Sequence, residues 1–377
     1  MFQNNLNLDE LYKIPWTTYN NPNGWIEPTT YCQLACPGCY RGLALPNPIR
    51  FNEDLTSQKK QIDRLIELRK IKILSIAGGE PLLYPKLNDI IAYASSKGLK
   101  SRLVSNGAAL TEERLQTLKQ LGVTEIAIHV AQYQKRANFK TEKTINLLRE
   151  KYAQIFRNVK GIELNFIMYV SKNNFSQLPN VINFCQQNAD VVNRVIFTFY
   201  RDVLFKKKPD TSTYLPLNKL VNLIQKEYQA QPCSYLGKTL DSKNPSWLFF
   251  APILLGGKTI GYADAKTVEN FFKNSDNGNY NAFPSDLNLT GLVKALSSIS
   301  PKTAGKIASG YIKRILKNPR NISNLPRSQI VILLNTPTPT KKGWDLCDGC
   351  PNAMLYKGKL VPSCLLERMK RGEEINL

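Results

Sequence analysis

The run Thr30-Tyr31-Cys32-Gln33-Leu34-Ala35-Cys36-Pro37-Gly38-Cys39-Tyr40 sets three cysteines in C-x3-C-x2-C spacing directly after a β-rich stretch, Trp25–Thr30. That position is the loop at the C-terminal end of a first strand. Cysteine thiolates are the usual ligands of iron–sulfur clusters. Three thiolates suit a cubane with one iron left open for another ligand. A structural zinc site asks for four ligands at a different spacing, and the chain's single histidine, His129, is distant in sequence.

Working outward, short β-rich runs alternate with amphipathic stretches from about Gly24 to Arg201. The strand candidates are Trp25–Thr30, Lys72–Ala77, Lys100–Ser105, Val123–Val130, Ile162–Ser171 and Arg194–Arg201. Between them lie helical patterns at Leu55–Arg69, Pro85–Gly98, Thr111–Leu121, Glu142–Phe156 and Gln177–Asn188, and Pro216–Gln229 reads as one more helix. Thr111-Glu112-Glu113-Arg114 opens its helix with an acidic first turn, and Leu121-Gly122 closes it with a glycine. Strand–helix alternation predicts a parallel sheet with right-handed crossovers. Six units are too few for a closed eight-fold barrel. The expected fold class is therefore α/β, a partial (β/α)6 TIM-like barrel, with functional loops after the strand C-termini.

Two further motifs fall at those strand ends. Ser75-Ile76-Ala77-Gly78-Gly79-Glu80-Pro81-Leu82 ends the second strand; its glycines allow close backbone approach, and Glu80 offers an acceptor. Ser105-Asn106-Gly107 ends the third, where Asn-Gly is also a common plain turn. Arg201 ends the sixth and suits either an anion of the substrate or a surface salt bridge. His129, inside an apolar strand, reads as a core histidine before a catalytic base.

The spacing of Cys32, Cys36 and Cys39, with Gly78-Gly79-Glu80-Pro81 and Ser105-Asn106 in register on the next strands, resembles the radical S-adenosylmethionine (SAM) superfamily over about Gly24 to Arg201. The resemblance implies a [4Fe–4S] cluster on the three cysteines, its open iron chelated by the amino and carboxylate groups of SAM. It implies one-electron cleavage of SAM to a 5′-deoxyadenosyl radical that takes hydrogen from a substrate. It assigns Gly78, Gly79 and Glu80 to the SAM amino group, and Ser105 and Asn106 to its ribose or carboxylate. It also implies a reducing partner such as flavodoxin or ferredoxin. One position departs from the family. The residue before the third cysteine is commonly aromatic and near adenine, whereas here it is Gly38, with Tyr40 after the cluster as the substitute candidate.

A second cysteine set stands at Cys347, Cys350 and Cys364. A C-x2-C knuckle with a distant third cysteine suits a metal site. The spacing is similar to the C-terminal twitch element of the radical SAM enzyme that rearranges GTP, which implies an auxiliary [4Fe–4S] cluster; a zinc knuckle is the plainer alternative. The longer SPASM pattern requires more cysteines than the eight here. Cys233 is a candidate fourth ligand or a buried free thiol, and Cys185 reads as core.

The chain has 377 residues, 51 Lys and Arg against 29 Asp and Glu, and a net charge of +22. Such a surface either serves solubility or favours anionic partners. Met1–Pro15 shows no secretory signal, and clustered cysteines argue for a reducing cytoplasm. The expected organisation is an extension (1–23), the partial barrel (24–230), an insertion facing substrate or membrane (231–340) and the auxiliary iron–sulfur element (341–377). The insertion carries the apolar run Trp247–Leu255. It also holds a basic amphipathic stretch, Lys306–Arg320, with Ile307, Tyr311, Ile315 and Leu316 on one face. That stretch reads either as core-facing with a solvated basic side or as an interfacial helix on anionic lipid. The leading substrate expectation is a lipid or apolar metabolite with an anionic group. Maturation of a ribosomally made peptide is the alternative; against it, Cys32 lies close to the N-terminus and thirteen residues follow Cys364. A non-catalytic electron-transfer protein is the third reading. No nucleic-acid-binding module is recognisable.

Overall fold

The computed structural model describes residues 6–44, 47–134, 136–137, 139–201, 212–274 and 297–375. Part of the expected insertion, residues 275–296, lies outside them.

The chain begins with β1 (Tyr12–Lys13) and then lays down six strands: β2 (Asn23–Thr29), β3 (Ile73–Gly78), β4 (Lys100–Ser105), β5 (Val123–His129), β6 (Glu163–Val170) and β7 (Val192–Phe199). All six pair in parallel, each with the next. The crossovers are α1 (Leu55–Arg69), α2 (Leu87–Ser96), α3 (Glu112–Leu121), α4 (Glu142–Val159) and α5 (Leu178–Gln187). Local chemistry sets their ends. Asp54 caps α1 by accepting from Ser57 N–H, Thr111 caps α3 by accepting from Arg114 N–H, and Gly122 at φ +105° closes α3. Thr141 and Thr144 bond reciprocally in a capping box before α4.

Beyond α6 (Leu217–Tyr228) the chain returns to the same sheet. Strands β8 (Pro232–Leu236), β9 (Trp247–Phe250) and β13 (Ile330–Leu334) extend it in the order β1-β8-β9-β13-β7-β6-β5-β4-β3-β2. Strand β13 runs parallel to β7, and β9 runs antiparallel to β13. The sheet is open, with β1 and β2 at its edges. The architecture is mostly parallel α/β, as expected from the alternation, and the sheet is longer than the six strands read from it.

Here the structure corrects the reading of the apolar run. Trp247–Leu255 is not a surface for substrate or membrane. It is β9 followed by β10 (Pro252–Leu255), which pairs with β11 (Lys258–Tyr262) and β12 (Arg327–Ser328) in a separate small sheet. Leu248, Phe250 and Leu255 are fully buried. Leu248 and Phe250 join the central core, while Phe249 joins a second core with Ile14, Trp16 and Leu236. A strand buried on both faces reads as continuous apolar sequence.

Toward the C-terminus, β14 (Thr338–Thr340) pairs with β15 (Gly343–Asp345), and β16 (Ala353–Tyr356) and β17 (Lys359–Pro362) form a second hairpin. Met354 and Val361 pack with Trp25, Ala77 and Leu366, so the hairpin sits on the barrel strands themselves.

Candidate active site

The cysteine loop and the Gly78-Gly79-Glu80 turn leave adjacent parallel strands and are laced together by backbone. Gly79 N–H donates to Thr29 O (2.8 Å) and Glu80 N–H to Tyr31 O (2.7 Å). The approach leaves no room for side chains. A Cβ on Gly79 would lie 2.3 Å from Tyr31 O, and Gly78 adopts φ +112°. Both glycines are therefore required by geometry.

Glu80 is buried, and its carboxylate ties the second strand end to the third. Oε1 accepts from Ser105 Oγ (2.7 Å) and Leu82 N–H (3.1 Å); Oε2 accepts from Asn106 N–H (2.6 Å). Burial raises its pKa, and these three hydrogen bonds oppose the rise. Ser105 differs from expectation. Its hydroxyl donates to Glu80 and accepts from Gly107 N–H (2.9 Å), and the residue is 2% exposed, so it positions Glu80. Asn106 does face the cysteines: its Nδ2 donates to Cys32 Sγ (3.5 Å) and Gln33 Oε1 (3.2 Å).

Cys32, Cys36 and Cys39 are partly buried and free. Burial pushes Cys36 up to about 12, with Cys39 and Cys32 adding to the rise. Cys32 is raised by burial, with Glu80 and Cys39 contributing. Among the described residues, no three His, Cys, Asp or Glu converge as ligands of one metal ion. A single ion holds every sulfur about 2.3 Å from one point, whereas a cubane gives each thiolate its own iron. Cys36 lies within electrostatic reach of Cys39 and Cys32, and Leu34 N–H (3.4 Å) and Asn106 Nδ2 donate to Cys32 Sγ, a donor set whose chemistry suits the cluster.

Residues not singled out from sequence complete this mouth. Arg136 follows β5; its guanidinium donates to the carbonyls of Asn106 and His129 (3.3 Å to the latter) and to Gln134 Oε1 (2.8 Å). It opposes the rise at Cys36 and at Glu80, so it supplies positive charge to both. His129 sits edge-on to Tyr169 at 4.6 Å, and burial, with Arg136 beside it, lowers its pKa to about 4. Pro37 of the cysteine loop borders a cavity of about 580 Å³ whose wall includes Tyr133, Arg136, Phe139 and Lys140. The space a side chain at Gly38 would need is filled by Tyr200, whose Cε2 lies 2.5 Å from an ideal Cβ there. Tyr200 in turn stacks on Tyr133 at 5.0 Å. The only sequence signal for Arg136 and Tyr200 was their place after strand C-termini.

Tyr40, the expected substitute for that aromatic, points elsewhere. Its hydroxyl donates to Glu27 Oε1 (2.8 Å), and its ring packs against the cluster of Leu346, Leu365 and Ile375. Arg41, 5% exposed, pairs with Glu27 (3.1 Å) and with Glu367 of the C-terminal segment. This buried network ties the first cysteine loop to the second set. Tyr169 is pushed up by burial, with Cys39, Cys36 and Cys364 all within electrostatic reach.

Cys347 and Cys350 hydrogen-bond each other; Cys350 is raised, with Cys347 and Cys364 contributing. The knuckle is clamped from outside. Asn21 Nδ2 donates to Gly349 O (3.0 Å), Asn23 Nδ2 to Pro351 O (2.7 Å), and Arg69 to Cys350 O (2.9 Å). Cys233 lies in the buried cluster against which Cys347 packs. Its thiol donates to Phe249 O (3.4 Å), and burial, with Asp264 as its anionic neighbour, pushes it up to about 12. Arg201 is engaged beside Tyr200 and the segment before α6. It donates to Tyr200 O (2.8 Å) and Leu215 O (3.3 Å) and lies over the Tyr214 ring at 4.5 Å.

The family model of the radical SAM superfamily matches residues 26–185. Residues 26–185 form a radical SAM domain. The superfamily is one of enzymes, and the domain covers the cysteine loop, the glycine turn, Ser105-Asn106 and Arg136. Among curated proteins, a PqqA peptide cyclase of Streptomyces rochei is 34% identical over 105 residues, covering 27% of this chain and 28% of that protein. A PqqA peptide cyclase of Xanthomonas oryzae pv. oryzae is 26% identical over 159 residues, 42% of each. The chain thus spans less than half the length of these relatives. Among solved structures, SuiB of Streptococcus suis bound to the precursor peptide SuiA aligns with a TM-score of 0.44 at 17% identity. That alignment covers 56% of this chain and 47% of SuiB. Native anSMEcpe with bound AdoMet and the Cp18Cys peptide aligns at 0.41 and 17%, covering 55% and 58%.

Proposed function

We propose that the chain binds a [4Fe–4S] cluster and SAM at the mouth of its radical SAM domain and takes hydrogen from a peptide substrate. The observation that carries the reading is the lacing of the three-cysteine loop onto Gly78-Gly79-Glu80, beside a cavity with cationic and aromatic walls. When bound, the cluster and SAM supply a 5′-deoxyadenosyl radical. The protein's own part is positional. Cys32, Cys36 and Cys39 hold the cluster, Asn106 donates to Cys32, and Glu80 fixes the neighbouring strand ends. Arg136 balances charge at Cys36 and Glu80. Tyr200 supplies the aromatic surface absent at Gly38. Cys347, Cys350 and Cys364 hold a second cluster.

The substrate class is supported by the curated relatives, both named as cyclases of the PqqA peptide. Tyr133 and Phe139 suit an apolar or aromatic side chain, and Arg136 and Lys140 suit an acidic neighbour. The lipid-substrate reading is weaker, because one of its motives, the apolar run Trp247–Leu255, is largely buried. Anaerobic reconstitution with iron, sulfide, dithionite and SAM, followed by addition of acidic, aromatic-containing peptides, tests this. Peptide-dependent acceleration of 5′-deoxyadenosine release with a mass change in the peptide supports it. Release accelerated by no peptide but by an apolar anionic metabolite overturns the substrate class.

A further inference from the structure

Among the described residues, the helix Pro301–Lys317 leaves one face unpartnered, and its composition identifies what covers it. The inner face is close-packed. Ser300 caps the helix and donates to Asp264 (2.8 Å), Thr303 is fully buried, and Gly310 meets the backbone of Ile260. An ideal Cβ on Gly310 would lie 1.9 Å from Ile260 O, so helix and strand β11 touch main chain to main chain. Ile307, Tyr311 and Ile315 are half-buried on this side. Three of the four residues read from sequence as one apolar face thus belong to the packed side. Leu316, the fourth, does not.

The outer face carries Ala304, Ala308, Ile312 and Leu316, four residues apart and therefore in a line along the helix. Ile312 is 58% exposed and Leu316 78%. Past the helix end, Ile322 in the turn Pro319–Ser323 is 70% exposed, and Leu325 beyond it 71%. Of the ten exposed large hydrophobics among the described residues, four fall between 312 and 325. Lys302, Lys313, Lys317, Arg320 and Arg327 flank the ridge and are exposed. No Asp or Glu occurs from Leu287 to Trp344.

We propose that this ridge docks the enzyme on an anionic lipid surface, with Ile312, Leu316, Ile322 and Leu325 entering the headgroup layer and the flanking cations on the phosphates. The apolar side chains are exposed at 58–78%, which suits insertion into a soft interface. The unrelieved positive flank selects anionic headgroups. Among the described residues no helix is long and apolar enough to cross a membrane, so the contact lies on the surface.

Co-sedimentation of the full chain with vesicles of phosphatidylcholine and phosphatidylserine tests this. Binding to these vesicles, weak binding to phosphatidylcholine alone, and loss of binding with added salt are expected. I312S/L316S weakens binding by about 100-fold, from two aliphatic side chains no longer buried. K313E/K317E, at exposed positions that the fold does not use, weakens it at least tenfold. Both variants keep wild-type 5′-deoxyadenosine release without vesicles. Absence of vesicle binding by the wild type overturns the proposal, as does binding indifferent to both variants. Self-association or acidic-peptide binding lost in these variants, without vesicle binding, overturns it in favour of a protein partner.

Discussion

Gly79→Ala puts the cradle's geometry to a numerical test. Gly79 has no positive φ, so the alanine meets no backbone strain; its only difficulty is space. The new Cβ would lie 2.3 Å from Tyr31 O and 2.7 Å from Thr30 C, against an ordinary contact of at least 3.4 Å. The neighbours are main chain, so no side chain can swing away. The cysteine loop must retreat by about 1 Å, straining the bonds Glu80 N–H to Tyr31 O and Gly79 N–H to Thr29 O. Overpacking of this kind costs about 1–3 kcal/mol of stability. A displacement of about 1 Å at a catalytic constellation lowers the rate about 100-fold. The assay is urea unfolding of the protein beside 5′-deoxyadenosine release per iron-loaded chain. Gly98→Ala is the control: it has φ +74° but nothing within 4 Å, so it loses about 1–2 kcal/mol to strain without touching the mouth. The expected outcome is similar destabilisation in both variants, with the rate lost in Gly79→Ala alone. Wild-type release by Gly79→Ala would refute the reasoning that the close approach positions the cluster.

Three further outcomes follow from other parts of the fold. Arg41→Met leaves Glu27 buried without its cation and Glu367 with Lys370 alone at 3.8 Å, which costs about 3–5 kcal/mol; urea unfolding and loosened protease resistance of the C-terminal segment check it. His129 has its pKa lowered to about 4 in the fold, so the unfolded chain binds the proton first as pH falls. The stability that the neutral ring contributes is present above about 6.5 and is lost toward 4, by up to about 3 kcal/mol. His129→Asn should flatten the unfolding free energy against pH in that window. Gly305→Ala lies in helix interior with open space around it, and a gain of about 0.5–1 kcal/mol in urea unfolding is expected.

Local signals made the first two hundred residues legible. The α1 range, Leu55–Arg69, and the β4 range, Lys100–Ser105, coincide with the sequence reading, because caps and strand-ending turns are encoded nearby. What escaped has non-local causes. β13 joins the sheet beside β7 across more than a hundred residues, and nothing in Ile330–Leu334 names that partner. The run Trp247–Leu255 carries no mark distinguishing a twice-buried strand from a surface that seeks apolar contact. The site shows the same division. The cysteines, glycines and Glu80 are spaced motifs, whereas Tyr200 enters the space beside Gly38 only through the sheet. Ser105 and Tyr40 sit where the motifs put them, yet tertiary hydrogen bonds to Glu80 and Glu27 decide where their hydroxyls point.

The central claim is that Cys32, Cys36 and Cys39 hold a SAM-cleaving cluster. Its most direct test is 5′-deoxyadenosine measured by chromatography after anaerobic reconstitution of the full chain with iron and sulfide, then dithionite and SAM. The account predicts 5′-deoxyadenosine from the wild type and none from C32A/C36A/C39A. An iron-loaded wild type that yields none would contradict it.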